Sequence, residues 1–479
     1  MALSAPRALD TLIGREEAAL RARTPRSHEL HVEASRHLPG GVASSWQDAP
    51  PCPVFLERGQ GSRVWDVDGT EYVDLHAGFG AMIAGHAHPA IVRAVSERVT
   101  MGTHFAQPVP DIIAVAQELG RRFGLPRWRF ANSGTESTLA AIHLMRAATG
   151  RRLLIKVEGS YHGHHDAVQV SVYPDPDAVE SGPADRPRPV REHGAVAPSI
   201  AADTLVVPFG RLDAVRRMLL DHPDQVAGMI VEPVMMNIGV VAPPPGYLDG
   251  LSVLLRAHGA LLCFDEVKTG LTIAPGGAIE RFGVVPDIVC LAKALGGGVP
   301  CGAIGGTAEV MATIADDTYE QVGTFNGNPL TMAAAKALLT EVLTPAAYAH
   351  IDELREAFVE RIRHTLGRYG IPGYVSAFGA KGAVVFSPVR IRNYRDFTGY
   401  DARYGHAHWL YQHNGGVFLP PWGKMEQWTL SVQHTAADVE RAADNLERFA
   451  RDLTRRSPAT PPAACAVSDR SLAGARSLV

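Results

Sequence analysis

PDIVCLAKALGGGVPCGAIGG, residues 286–306, runs from a short apolar strand into Lys293 and then a glycine-rich loop. A lysine at the end of a buried strand loses hydration, which favours its neutral, nucleophilic form. A surface lysine that merely follows a strand reads the same way. Working outward, three more apolar runs of similar length precede it: RLLIKVEG at 152–159, VAGMIVEPV at 226–234 and ALLCFDEV at 260–267. Stretches of helical periodicity separate them. Continuous apolar strands alternating with helices predict an α/β fold, a mostly parallel sheet covered on both faces.

The flanks extend this frame. Residues 15–23 and 28–38 carry amphipathic helical spacing that stops at Pro39-Gly40-Gly41, and GSRVWDVDGTEYVDL at 61–75 alternates around Asp68-Gly69, a hairpin signal. A long helix is expected from Pro329, another from about 348 to 370, strands near 383–387, and a last helix over 436–453. The expected organisation is an N-terminal helical and hairpin segment (1–75), a large domain (76–335), a smaller α+β domain (336–455) and a disordered tail (456–479). Residues 173–199, rich in Pro, Asp and Arg, read as irregular.

Composition narrows the class. A chain of 479 residues with 46% hydrophobic and 20% charged residues is ordinary globular protein, and a net charge of −4 gives no general pull toward nucleic acid or anionic membrane. No apolar run is long enough to span a bilayer and no signal pattern opens the chain, so a cytoplasmic location is expected. Cysteines 52, 263, 290, 301 and 465 are scattered and read as free thiols. Only six of 46 basic residues are lysines, which makes the search for a catalytic amine short.

Three further segments carry chemistry. In FANSGTE, residues 130–136, a strand end meets Ser133-Gly134-Thr135 at a helix start, where free backbone N–H groups and the helix dipole suit a phosphate. An ordinary N-cap with Glu136 as its capping-box partner has the same sequence. In FDEVKTG, residues 264–270, Asp265 and Glu266 close a strand at the sheet edge where open α/β folds bind ligands. A carboxylate there can hold a pyridinium N–H or a Mg²⁺ ion, and no P-loop accompanies it. EGSYHGHHD, at 158–166, sets Tyr161 and His162 just past another strand end. The clustered His162, His164 and His165 lack a matching metal pattern, so no metal is expected.

Taken in order, these segments resemble the class III aminotransferases, and most closely the glutamate-1-semialdehyde 2,1-aminomutase branch. The resemblance rests on LPGGV, VWDVDGTEYVDL, GHAHPAI, NSGTE, EGSYHGHHD, VEPV, PPGYLDGL, FDEV, the 286–306 stretch and GTFNGNP, and covers about residues 35–450. It implies a fold-type-I enzyme with a seven-stranded-type sheet, pyridoxal 5'-phosphate as cofactor, and a homodimer with active sites at the interface. By the same resemblance Lys293 forms the Schiff base and Asp265 pairs with the pyridine nitrogen. Val267 and Tyr161, with His162 beside it, lie against the ring. Ser133, Gly134 and Thr135 cradle the phosphate with Thr324 from the partner subunit, and Asn237 lies near the phenolic oxygen. Glu232 and Glu426 match acidic positions near the substrate.

Three departures bear on the substrate. Gln47 stands where the aminomutases carry the arginine that grips the substrate carboxylate, and a neutral amide cannot replace a guanidinium fork. Phe79 replaces a tryptophan, and the loop after Tyr161 lacks the family's Gly-Ser-Gly pattern. The expected activity is therefore amino transfer between a small-molecule donor and a carbonyl acceptor. The alternatives are intramolecular transfer of the aminomutase type and, less favoured, an amino-acid racemase or epimerase.

Overall fold

The computed structural model describes residues 6–421 and 428–455. The expected tail, Cys465, Lys424 and Glu426 lie outside the described residues. The first strands, β1 (Leu56–Gln60), β2 (Arg63–Asp66) and β3 (Glu71–Asp74), form an antiparallel meander. The Asp68-Gly69 signal falls within a three-residue loop: Asp66 N–H donates to Thr70 O, and Gly69 takes a φ of +84° that favours glycine.

Seven strands build the central sheet: β4 (Arg127–Ala131), β5 (Leu153–Val157), β6 (Thr204–Val207), β7 (Val226–Val231), β8 (Leu261–Asp265), β9 (Ile288–Ala292) and β10 (Gly302–Gly306). Their order is β4-β10-β9-β8-β7-β5-β6, with β10 antiparallel to both neighbours and every other pair parallel. The sheet is mostly parallel, as the apolar runs imply. Every residue of β5, β7 and β9 is buried, because helices such as Gly134–Thr149 cover the sheet.

One reading is corrected. The glycine-rich stretch after Lys293 is a loop only as far as Cys301; residues 302–306 are β10, paired between β4 and β9. Its glycines belong there for close packing: a side-chain carbon on Gly302 would come within 2.5 Å of Ser133 O, and one on Gly305 within 2.6 Å of the Trp128 ring.

The C-terminal part adds β11 (Tyr374–Phe378) and β12 (Lys381–Val385), then β13 (Val417–Phe418) and β14 (Trp428–Thr429), with long helices Pro345–Tyr369 and Ala436–Thr454. β13 pairs in parallel with β3, so the N-terminal meander and the C-terminal part share one sheet. The N-terminal helix Pro6–Arg23 docks on the helix Ala402–Asn414 through Arg15 Nη2 on Tyr411 Oη at 2.5 Å and Asn414 Nδ2 on Glu16 Oε2 at 2.7 Å. No described helix is long and apolar enough to cross a membrane.

Candidate active site

The parallel direction of β9, β8, β7 and β5 brings their C-terminal ends to one edge. There the chain places, in spatial order, Lys293, Asp265, Glu232 and Tyr161-His162. β4 points the same way and delivers Ser133 to that edge too. These residues meet at a cleft of about 590 Å³, counting its solvent mouth, lined by Gly134, Thr135, Tyr161, His162, Glu232, Asn237, Asp265, Val267 and Lys293 among others.

Asp265 is 5% exposed. Its Oδ2 accepts from His162 Nδ1 at 2.7 Å and its Oδ1 from Val267 N–H at 3.0 Å. The bond to Asp265 fixes the histidine ring, and the other ring nitrogen, Nε2, is buried with no hydrogen-bond partner among the described residues. Glu266, which the sequence left as an equal candidate, turns the other way. It accepts from Ala278 N–H at 2.7 Å and Thr269 Oγ1 at 2.9 Å, and burial pushes its carboxyl up to about 7. Glu266 thus anchors the helix Gly277–Phe282, and Asp265 alone of the two faces the cleft.

Lys293 opens a short 3₁₀ turn with a φ of +46°, the left-handed region that costs a non-glycine residue about 1 kcal/mol or more. Strain of this kind persists where the surrounding structure over-determines a side chain's position. Ser133 caps the helix Gly134–Thr149 by accepting from Glu136 N–H at 3.2 Å, and Glu136 returns a bond to Asn132 N–H at 2.5 Å. The bond from Asn132, one residue before the cap, makes this a simple N-cap rather than the capping box expected from Ser133 and Glu136. The N–H groups of Gly134 and Thr135, in the first turn, have no intrahelical acceptor. Gly134 is required by close approach, since a side-chain carbon there would meet Val267 at 2.8 Å.

Glu232 is buried, accepts from Tyr161 N–H at 2.9 Å and Met236 N–H at 3.0 Å, and is held above the usual carboxylate range by burial and nearby Asp265. Asn237 Oδ1 accepts from Lys268 Nζ at 3.0 Å.

Of the described sequence candidates, Ser133, Phe79, Thr324 and Gln47 are not among the cleft's lining residues. Thr324 is exposed on the loop before Pro329, beside a groove lined by Ile113, Trp128 and Val322 rather than in the cleft. Gln47 is exposed, its Oε1 accepting from Ala43 N–H at 3.1 Å. Its neighbour Trp46 lines the cleft instead, packed on Phe79 and Tyr161 with ring centroids 5.0 and 4.9 Å away. Trp46 was not singled out from the sequence; an aromatic residue beside the position of a lost arginine was the available signal. Among the described residues no group of three or more His, Cys, Asp or Glu side chains is arranged to hold a metal ion.

An amine, a buried carboxylate, a helix start and a tyrosine meet at one edge of the sheet, the kinds of group that a phosphorylated cofactor handling amino groups calls for. Residues 44–438 match the family Aminotransferase class-III, and the chain belongs to that family. It is 35% identical to a glutamate-1-semialdehyde 2,1-aminomutase 2 of Brevibacillus brevis over 88% of this chain and 96% of that protein. Among solved structures it is similar to an omega-transaminase from Sphaerobacter thermophilus (TM-score 0.84, 31% identity, covering 89% of this chain and 97% of that one). It is also similar to a lysine-to-alanine variant of a glutamate-1-semialdehyde aminomutase from Pseudomonas aeruginosa in complex with PMP (TM-score 0.85, 30% identity, covering 95% and 100%).

Proposed function

We propose that this enzyme is a pyridoxal-phosphate aminotransferase that moves an amino group from one small molecule to the carbonyl of another. The observation that carries the reading is a cleft that gathers Lys293, Asp265 and the Gly134–Thr135 helix start, with no arginine among its described lining residues. The cofactor supplies a carbonyl that takes up amino groups and a ring that drains charge from the carbon losing its proton.

The chain's residues fit that group. Lys293 Nζ is the amine that would hold the cofactor's carbonyl and move the substrate's proton. Asp265, already oriented by His162 and Val267 N–H, takes the ring nitrogen and keeps it protonated. Val267 and Tyr161 would lie against the ring, Asn237 near the phenolic oxygen, and the Gly134 and Thr135 N–H groups would hold the phosphate. Glu232 stands behind Tyr161 toward the substrate. Thr324, hung beside this cradle by the Asn132 Nδ2 bond to Asn326 Oδ1 at 3.0 Å, serves the partner subunit's phosphate in a homodimer.

The test mixes holoenzyme with single amino donors and follows the visible absorbance of the bound cofactor. A donor should bleach it and a carbonyl acceptor should restore it. Borohydride should fix the cofactor's mass on the Lys293 peptide. The names of the 35%-identical relatives favour a second reading, intramolecular transfer. Production of 5-aminolevulinate from glutamate-1-semialdehyde, with no donor bleaching the cofactor, would establish that reading and overturn the first.

A further inference from the structure

Two lysines are among the described residues that line the cleft, Lys293 and Lys268. Holding the cofactor calls for only one of them. Lys268 lies three residues beyond the end of β8 and is 7% exposed. The turn that carries it is pinned: its carbonyl accepts from Thr272 Oγ1 at 2.7 Å, and Gly270 N–H donates to Glu266 O at 2.8 Å. A lysine taken out of water needs polar acceptors. One of them is Asn237 Oδ1, at 3.0 Å.

Asn237 is buried on a loop after β7 that is closed by paired backbone bonds between Met235 and Val241, at 2.9 and 3.0 Å. Its Nδ2 lies 3.4 Å from each oxygen of Glu232. The amide is therefore oriented from both ends, its oxygen toward a cationic donor and its nitrogen toward a carboxylate. A reversed amide would set N–H against the lysine and oxygen against Glu232. Glu232 in turn accepts from Tyr161 N–H and Met236 N–H. A line of polar bonds thus ties the ends of β8, β7 and β5 together, and Lys268, Asn237, Glu232 and Tyr161 all line the cleft.

The contact from Asn237 to Glu232 is long and shared between two oxygens, which leaves Nδ2 able to donate to another acceptor in the cleft. With Asn237 at the cofactor's phenolic oxygen, that acceptor is the phenolic oxygen. A donor aimed at such an oxygen, with a positive charge one side chain behind it, favours its deprotonated form.

We infer that Lys268 is a positioning residue: it holds the Asn237 amide with Nδ2 toward the phenolic oxygen of the bound cofactor, and so lowers the pH at which that cofactor gives up its proton. Lys268 acts through Asn237 and carries no proton itself. The inference rests on Asn237 standing at that oxygen, and it holds for amino transfer between two molecules or within one. Among the described residues, the titratable groups facing the amide are Lys268 and Glu232. Asp265, His162, Tyr161 and Lys293 complete the titratable set that lines the cleft, and the variants below leave all of these but Lys268 in place.

The test is a pH titration of the visible absorbance of holoenzyme, with no amino donor or acceptor present. Lys268→Met should raise the midpoint of the colour change by about one pH unit, because the charge and the amide's orientation are lost together. Lys268→Arg keeps a charged donor and should stay within about 0.3 unit of wild type, while Lys268→Gln, a donor without the charge, should fall between the two. Asn237→Ala should raise the midpoint as well, and in that background Lys268→Met should move it less than half as far as it does in wild type. An unchanged midpoint in Lys268→Met overturns the inference, and so does full additivity of Lys268→Met with Asn237→Ala. An unchanged midpoint in Asn237→Ala takes Asn237 away from the phenolic oxygen and overturns the placement on which the inference rests. If Lys268→Met fails to fold, Lys268→Gln supplies the shift, and an unchanged midpoint there overturns the inference equally. Because no donor is present, these outcomes are separate from any failure of amino transfer.

Discussion

Lys156 is a costly side chain to bury. It is fully buried in β5, and its Nζ shares its protons among the carbonyls of Val170 (2.7 Å), Ser160 (3.2 Å), Val157 (3.3 Å) and Ser171 (3.4 Å). Four acceptors tie both ends of the loop that presents Tyr161 and His162. Burial lowers the ammonium from 10.5 to about 7. Between those two values the unfolded chain binds the proton and the folded chain does not, so folding gains stability as pH rises through the window and forfeits it below pH 7. At about 1.4 kcal/mol per pKa unit the swing is about 4–5 kcal/mol. Lys156→Met should therefore be less stable than wild type, by an amount that grows as pH rises from 7 to 10. Urea midpoints at matched pH values would show it, and a difference constant across that range would refute it. Residue-scale chemistry was unevenly legible. Lys293, Asp265 and Ser133-Gly134-Thr135 announced themselves because each ends a strand or starts a helix. Lys156 read only as a strand lysine, since a carbonyl cage assembled by a returning loop leaves no spacing to detect. Trp46 was hidden for a similar reason: which of two neighbouring side chains enters a cleft depends on the turn that carries them.

At the scale of elements, the loop over residues 173–199 is irregular in sequence but fastened at several points. Arg395, on the short helix Tyr394–Thr398, grips Glu158 with Nη2 on Oε1 at 2.6 Å and Nε on Oε2 at 2.9 Å, and also donates to the carbonyls of Pro176 (2.5 Å) and Ser181 (3.1 Å). Tyr394 Oη donates to Pro174 O at 2.8 Å. Both members of the ion pair are largely buried, with side chains 14% and 2% exposed. Arg395→Ala leaves Glu158 buried without its partner, a change worth about 3–5 kcal/mol. It should lower the unfolding midpoint and open the Arg186–Arg191 region to trypsin. Arg395→Lys restores the charge but not the fork, so its midpoint should fall between the two. Unchanged cleavage in both variants would show that the loop is held by other contacts. The strands of the central sheet could be read from sequence because burial on both faces demands unbroken apolar runs. β13 and β14, two residues each, could not, and β10 was mistaken for loop because its glycines answer to Ser133 and Trp128, distant in sequence.

At the scale of the whole molecule, one surface is out of keeping with a lone chain. Ile113 and Val322 are 60% and 73% exposed and line the groove that also holds Thr324. Phe325 is exposed beside it with its ring 4.6 Å from that of His104, and Met101 and Phe105 are exposed in the adjacent segment. Scattered apolar residues are normal on a surface; a group of them beside Thr324 suits the homodimer proposed above. The occupant consistent with Thr324 is a second copy of the chain. Its apolar groove would be covered while the 320–328 loop, pinned by Asn132 and by Gln321 Nε2 on Phe130 O at 3.1 Å, reaches across to the other cleft. The expected solution mass is about twice 51.3 kDa. A charge at the centre of the contact, Phe325→Asp, should release folded monomers with unchanged circular dichroism. Those monomers should hold pyridoxal phosphate at least tenfold more weakly, because each cradle loses the Thr324 hydroxyl supplied by its partner. Thr324→Ala separates the two effects: it should stay dimeric and weaken only the cofactor. Sedimentation together with cofactor titration reads both, and a wild-type monomer that binds cofactor tightly would mean that the phosphate is held by one chain alone.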